Sequence, residues 1–302
     1  LTVEITPASA GTSESVVHLD EPVSRRRASA WRYFRRNWLA VFGMGVLAIM
    51  ILIAVAAPLV APYDPDAISY DFLAPPSAEH PLGTDDVGRD VLSRLIYASR
   101  VSLSVGFAVS LLAVFLGCIA GSIAGYYGGR TDNLISGGIN VLLSIPLIPL
   151  AMVLGAFLKT DLLFIVLILG FLSWTAIARV IRAEFLSLKE REFVMAARLI
   201  GVSDLRIIRR HILPNVVAII IVAATLMVAT AILAESALSY LGYGIQPPTA
   251  SWGNMLQNAQ RFFRTNPMLA IYPGILISLT VICINFVGDG LRDALDPRLR
   301  SP

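Results

Sequence analysis

The stretch SLKEREFVMAARLIGVSDLRIIRRHILP, Ser187 to Pro214, lies between two long apolar runs and reads as two short amphipathic helices hinged at Gly201. Ser187 with Glu190 three residues on has the form of a capping box, which predicts a helix start there. Gly201 is a stop signal, and Ser203 is placed to cap a second helix towards His211. Pro214 biases Leu213 away from helical torsions and predicts that helix's end. On the first helix Phe193, Ala196, Ala197 and Ile200 fall at i, i+3, i+4 and i+7, one face of small and apolar groups. Lys189, Glu190, Arg191, Glu192 and Arg198 cover much of the rest. A helix so charged is not buried in a bilayer, and its small face lets another protein's backbone or groove approach closely, so the segment reads as a docking surface.

The surrounding chain is built for lipid. Of its 302 residues 56% are hydrophobic and 15% charged, against about 45–50% and about 25% in soluble domains; the mean hydropathy is +0.72. A helical span needs about 20 apolar residues. Six stretches qualify: Trp38 to Ala61, Val101 to Ala124, Leu134 to Leu158, Leu162 to Ile181, Val216 to Leu238 and Leu269 to Val287. The third, with Asn140, Ser144, Pro146 and Pro149, and the fifth, with Thr225, Thr230 and Glu235, are the least clean. The expected fold is an all-α integral membrane protein of six transmembrane helices.

Lys and Arg resist translocation and so orient the spans. With the N-terminus inside, eighteen of the 24 basic residues fall on one side, in the tail, at Arg130, in the loop between spans four and five and at the C-terminus. Both termini and the 187–214 segment are therefore expected in the cytoplasm. The net charge of +3 is positive-inside bias rather than a nucleic-acid signature. The organisation that follows is a basic, disordered tail over 1–36, an anchor helix over 37–61, and an extracytoplasmic loop with a short helix over 62–100. A five-helix core over 101–288 contains the 187–214 loop, and a cytoplasmic tail covers 289–302.

Several chemistries find no support. No G-x-x-x-x-G-K-[ST] run occurs, and Gly128-Gly129-Arg130-Thr131 lacks both spacing and lysine, so ATP is not expected to bind this chain in a P-loop. No nucleophile and base are suitably spaced, and no catalytic residue is assigned. Cys118 and Cys283 sit inside spans as small hydrophobes. His18, His80 and His211 are scattered, and the acids of HPLGTDDVGRD (His80 to Asp90) do not fit an EF-hand loop, so no metal site is expected. Asp90 is placed to cap the short helix carrying Val91, Leu92, Leu95 and Ile96. Glu235 is the one clear acid within the spans, which is sparse for an ion- or proton-coupled carrier. It either lines a pathway or pairs with an outer Arg such as Arg100. Gly117, Gly121 and Gly125 recur at four-residue intervals as a close-packing signal, and Tyr126 and Tyr127 fit an interfacial belt.

The 187–214 segment resembles the EAA loop of bacterial ABC importer permeases. It has Met195-Ala196-Ala197, Gly201 and Leu213-Pro214 at the family spacing, with Met195 in place of the usual Glu. Further blocks narrow the resemblance to the C-type permease subunit of dipeptide/oligopeptide (peptide/nickel) importers. They are Ala61-Pro62-Tyr63-Asp64-Pro65, His80 to Asp90, GYYGGRTD at Gly125 to Asp132, ILAESALSYLGYG at Ile232 to Gly244, QPPTASWGNML at Gln246 to Leu256 and GDGLRDALDPRLR at Gly288 to Arg300.

The resemblance implies a type I importer permease fold in the bacterial cytoplasmic membrane. It also implies a homologous B-type permease beside this one, two ATPase subunits that bind ATP and Mg, and an extracytoplasmic substrate-binding protein. Mapped here, Phe193, Val194, Met195, Ala196, Ala197, Ile200, Gly201 and Asp204 form the ATPase-coupling segment. Ser144, Thr225, Thr230, Glu235 and Asn285 are pathway candidates. Related permeases also carry nickel, haem, glutathione or sugars. The readings standing against this one are a stand-alone secondary carrier or channel and a non-transporting membrane receptor or scaffold.

Overall fold

The computed structural model describes residues 31–157 and 161–295. Most of the expected N-terminal tail, the end of the third span at Leu158 and the C-terminal residues from 296 lie outside the described residues. Of the expected disordered stretch, residues 31–36 are helical, and Phe34 is buried against Ala40 and Ala294.

Asn37 caps α1 (Trp38–Val55), its side chain accepting from the Ala40 N–H at 3.2 Å. A short α2 (Ala57–Val60) ends the anchor, and turns carry the chain to α3 (Val91–Tyr127). Asp90 caps α3, accepting from the Ser93 N–H at 2.8 Å and the Ser93 hydroxyl at 2.7 Å. The expected short helix and second span are one helix of 37 residues, because nothing between Ile96 and Val101 breaks it. At 1.5 Å per residue it is about 55 Å long, well beyond a hydrocarbon core of about 30 Å.

The third span is broken. α4 (Gly129–Ser144) and α5 (Leu147–Phe157) meet at 82° around Ile145 and Pro146. Proline removes an N–H and pushes the residue before it into extended torsions, as Ile145 shows at φ −96°, ψ 124°. Then follow α6 (Leu162–Lys189), α7 (Glu192–Leu199), α8 (Asp204–Ile207), a π-helical turn at Ile208–Ile212, α9 (Leu213–Tyr240), α10 (Trp252–Ala259) and α11 (Met268–Leu295). Five helical stretches are long and apolar enough to cross a membrane, and the bent α4–α5 pair makes a sixth if it counts as one span. Among the described residues no strand forms beyond one bridge between Thr84 and Asp90.

Without a hydrophobic drive between helices in lipid, association depends on close packing. α3 and α6 achieve it through the glycine repeat. A Cβ at Gly117 would lie 2.7 Å from the Ile177 Cβ, one at Gly121 would lie 2.5 Å from the Ala178 carbonyl oxygen, and one at Gly125 would lie 2.5 Å from the Phe185 Cβ. α1 meets α11 similarly, with Gly43 against the Cys283 backbone. Gly121→Ala must therefore push the α3 and α6 backbones apart. We expect it to cost about 1–3 kcal/mol and to lower the thermal midpoint of the detergent-purified protein by several degrees. Gly45→Ala, with nothing within 4 Å, should leave the midpoint unchanged; equal midpoints for both variants would refute the seam.

Candidate functional site: the loop between α6 and α9

The α6 helix continues unbroken through Ser187 to Lys189, so the predicted capping box does not form; α7 begins at Glu192 after Arg191. No residue in Leu186 to Lys189 disfavours a helix, and this local propensity outweighs the cap. α7 ends as a Schellman motif. The Gly201 N–H donates to the Arg198 carbonyl at 3.0 Å and the Val202 N–H to the Ala197 carbonyl at 3.0 Å, closing otherwise free carbonyls. Gly201 has φ +76° with open space around its Cβ position, so glycine is there for its left-handed torsion rather than for room.

Ser203 precedes α8 as expected, although its side chain makes no capping bond. The second helix does not stop at Pro214. Leu213 has helical torsions, and the π-helical turn at Ile208–Ile212 leads straight into α9, with Pro214 in the first turn where its missing N–H is tolerated. Residues Asp204–Tyr240 thus run as one helical stretch.

The structure splits the predicted coupling residues into two faces. Val194, fully buried, and Ala197, 5% exposed, turn inward onto Tyr126, Ile181, Phe185, Ile207 and Ile212. Ala197 is therefore not on the exposed face where helical spacing placed it. Phe193, Met195, Ala196 and Ile200 face outward, joined by Leu199, with Leu199 89% and Ile200 81% exposed. Leu199 was not among the expected residues because its i+6 position falls between the counted spacings. Arg191, Glu192, Arg198, Asp204, Arg206, Arg209 and Arg210 are exposed along the same loop.

One polar anchor fixes the loop to α3, and a second ties α4 to α6. The Tyr126 hydroxyl donates to Asp204 Oδ1 at 2.6 Å, and the Arg198 guanidinium lies over the Tyr126 ring at 5.2 Å. Arg182 of α6 holds Asp132 of α4 with two bonds, Nη2 to Oδ2 at 2.7 Å and Nε to Oδ1, and Ser136 adds a third at 2.9 Å. Gly128 and Gly129, both at positive φ, make the turn between α3 and α4. The GYYGGRTD block therefore carries both the loop's anchor, Tyr126, and the acid that ties α4 to α6, Asp132. Its signal was present in the sequence, but Tyr126 read as a membrane-belt residue because its partner, Asp204, is 78 positions away.

At the opposite end Glu235 has no exposed surface and pairs with neither Arg100 nor an open channel wall. It accepts from the Ser239 hydroxyl at 2.7 Å and from Ser102 and Ser236 at 3.4 Å. Ser102 in turn accepts from the Trp252 backbone N–H at 3.2 Å, and Ser239 from the Ile245 N–H at 3.0 Å. The other pathway candidates do not gather around it. Ser144 is exposed at the α4–α5 break, its hydroxyl bonded to the Val141 carbonyl at 2.7 Å. Thr225 bonds its own helix at Ile221 and Thr230 at Met227, each at 2.9 Å, and Asn285 is half-buried on α11. Near the turns of residues 62–90, His80 bonds Asp90 at 2.9 Å and Arg89 bonds Asp85 at 2.8 Å.

An exposed apolar patch held at one end of a membrane bundle suits a permease, and the comparisons show that class of protein. Residues 113–301 match the family described as the binding-protein-dependent transport system inner membrane component, and residues 26–76 match the N-terminal transmembrane domain of oligopeptide transport permease C. The chain belongs to this family of ABC importer permeases. It is 42% identical over 273 residues, 90% of each chain, to a dipeptide transport system permease protein of Alkalihalophilus pseudofirmus. It is 36% identical to the oligopeptide transport system permease protein of Bacillus subtilis, over 98% of this chain and 97% of that one. In fold it is similar to a chain of the MetNI methionine ABC transporter in an inward-facing conformation. The TM-score is 0.55 at 19% identity, over 67% of this chain and 96% of that chain.

If Tyr126 anchors the loop, Tyr126→Phe should speed amide hydrogen exchange across residues 192–207 by about tenfold, the worth of one hydrogen bond to a charged group. Exchange in the middle of α3 should not change. Unaltered exchange in the loop would mean that apolar packing alone holds it.

Proposed function

We propose that this chain is the C-type transmembrane subunit of an ATP-driven importer of di- or oligopeptides, and that the outward face of α7 is where an ATPase subunit seats. The observation that carries the reading is the patch of Phe193, Ala196, Leu199 and Ile200, exposed at the end of a rigidly bracketed loop in a chain of this family. Burying a Leu or Ile is worth about 1.5–3 kcal/mol, so Leu199 and Ile200 carry most of the affinity available to a partner groove. The surrounding charges set its register. Met195 takes the place of an acid and suits an apolar groove, since its thioether adapts to irregular surfaces.

The basic residues around the loop support a cytoplasmic position for it, with both chain termini on the same side. ATP and Mg belong to the two ATPase subunits, and peptide arrives from an extracytoplasmic binding protein at the opposite end. A homologous B-type permease completes the pathway. Peptide cargo follows from the dipeptide and oligopeptide transporters that the relatives are named for. The broken α4–α5 span is the best candidate for the pathway wall, because interrupted backbone at membrane depth needs protein or water to satisfy it. Ser144 stands at that break.

Ile200→Asp and Leu199→Asp in the assembled transporter should leave membrane insertion intact while abolishing peptide uptake and the coupling of ATP hydrolysis to the loaded binding protein. Full uptake in both would sink the docking assignment, and uptake by this chain alone in vesicles would favour a stand-alone carrier. In a Cys118→Ser, Cys283→Ser background, Ser144→Cys should react with a water-soluble thiol reagent during turnover, whereas Ser110→Cys, buried at 4% exposure, should not. Protection of position 144 throughout the cycle would remove the break from the pathway.

A further inference from the structure

The short helix over residues 31–36 stands just ahead of α1 and is fastened to the bundle on one side. Phe34 turns inward onto Ala40 of α1 and Ala294 of α11, and a Cβ at Gly290 of α11 would lie 3.2 Å from its ring. Away from Phe34 the helix carries Arg32, Arg35 and Arg36 at i, i+3 and i+4, all exposed. With Trp31 these three side chains line an open concavity of about 480 Å³. The Trp31 ring is stacked on Phe34, centroids 5.8 Å apart and 8° from parallel, so it is held in place although it is 53% exposed.

Like charges three and four positions apart on a helix repel. Among the described residues no carboxylate pairs with Arg32, Arg35 or Arg36, and Asp289 and Asp293 at the end of α11 are no exception. The cluster therefore faces outward with its charge uncompensated. Arg25, Arg26 and Arg27 precede it in the chain, and so many basic residues beside a spanning helix favour anionic lipid.

The length of the anchor sets the depth of this face. The 18 residues of α1 rise about 27 Å, and the four of α2 complete a span of a hydrocarbon core about 30 Å thick. Little length is left over, so residues 31–37 stand at the headgroups. Trp31 and Trp38, the latter 71% exposed, mark the same level, where tryptophan is enriched. At that depth the group of opposite charge is a lipid phosphate. A guanidinium presents a planar fork of donors that matches two phosphate oxygens, as an ammonium does not. A zwitterionic headgroup brings a cation of its own that three arginines repel.

We propose that this face binds one anionic phospholipid, its phosphate held by Arg32, Arg35 and Arg36 and its glycerol end against the Trp31 ring. Through Phe34 and Ala40 the bound lipid keeps the α1–α11 pair at a fixed depth in the bilayer. The site requires neither peptide cargo nor the docking of a partner on α7, so it can fail without them and they without it.

The test places the complete transporter in nanodiscs with two identical leaflets of phosphatidylcholine, so the outcome does not depend on which face is cytoplasmic. A minor share of the lipid carries a diazirine near the ester end of one acyl chain, on either phosphatidylglycerol or phosphatidylcholine. Irradiation and peptide mapping then read the labelling of residues 31–42. Each arginine at a membrane surface is worth about a fivefold preference for anionic lipid. Phosphatidylglycerol should thus label this stretch at least about tenfold more than phosphatidylcholine. Arg35→Gln should lower that ratio about fivefold, and Arg32→Gln, Arg35→Gln and Arg36→Gln together should bring it near one. Lysine at all three positions should lose most of the preference, because the fork is gone although the charge stays. Arg261→Gln with Arg264→Gln, both exposed just ahead of α11 at its other end, should change nothing. The wild-type ratio decides the matter even if a variant fails to assemble. Equal labelling by the two lipids overturns the proposal, as does full preference in the lysine variant, which would mean diffuse attraction rather than a site. Labelling that appears only when the ATPase subunits are stripped away also overturns it, since a protein partner would then cover the arginines.

Discussion

Van der Waals contact between the α3 and α6 backbones at Gly117, Gly121 and Gly125 sets the position of every group at the loop end. In water such a seam would be a minor addition to apolar burial; in lipid, where neighbouring chains are as apolar as Leu, close approach is itself a main source of cohesion. The last glycine of the seam precedes Tyr126, so the same approach that packs Gly125 on Phe185 brings the phenol to Asp204. It also puts the turn at Gly128 and Gly129 where Asp132 meets Arg182. The loop is therefore fastened to the pair of helices rather than to either one.

The far end of α3 is held by chemistry of another kind. Glu235 removes a carboxyl from water, which is costly unless its oxygens are hydrogen-bonded, and the surrounding serine hydroxyls meet that need. Because Ser102 and Ser239 also accept from the Trp252 and Ile245 N–H groups, the carboxyl organises the connector between α9 and α10 as well as the helices. A Schellman turn at Gly242 ends α9, with the Gly242 N–H donating to Ser239 and the Tyr243 N–H to Leu238, each at 3.0 Å. This is the same device that ends α7 at Gly201.

The spans, the glycine seam, the cap at Asp90 and the stop at Gly201 were legible because each depends on residues within one turn of one another. The helix boundaries around 187–214 were less so. Ser187 and Pro214 both have local signatures for an end, yet α6 and α9 continue past them, since a helix already propagated by a long span is not ended by a weak cap signal or by a proline it can place in a first turn. The inward turn of Ala197 and the roles of Tyr126 and Glu235 depend on contacts between residues far apart in the chain. Helical periodicity put Phe193, Ala196, Ala197 and Ile200 on one face of α7, and only packing on Phe185 and Ile212 turns Ala197, with Val194, inward.

The loop joins the rest of the bundle by two routes of unequal stiffness. On one side α7 follows α6 after two residues and is pinned through Tyr126 and Arg198 to α3, so it moves with the α3–α6 pair. On the other side α8 passes through the π-helical turn into α9, whose far end carries Glu235. A π turn holds one more residue than an α turn and weakens the regular hydrogen-bond ladder, so bending between α8 and α9 costs less there than elsewhere along the stretch Asp204–Tyr240. A partner pressing on Leu199 and Ile200 would thus displace α3 and α6 as a body, while α9 pivots at Ile208–Ile212. The relative motion falls on the contacts of α9 with that pair, which include the Ser110 hydroxyl on the Ala224 carbonyl at 2.8 Å and Ser102 on Glu235. These are single hydroxyl bonds, weaker than the Arg182–Asp132 pair that ties α4 to α6, and they lie beside the close packing of Gly106 on Ile232.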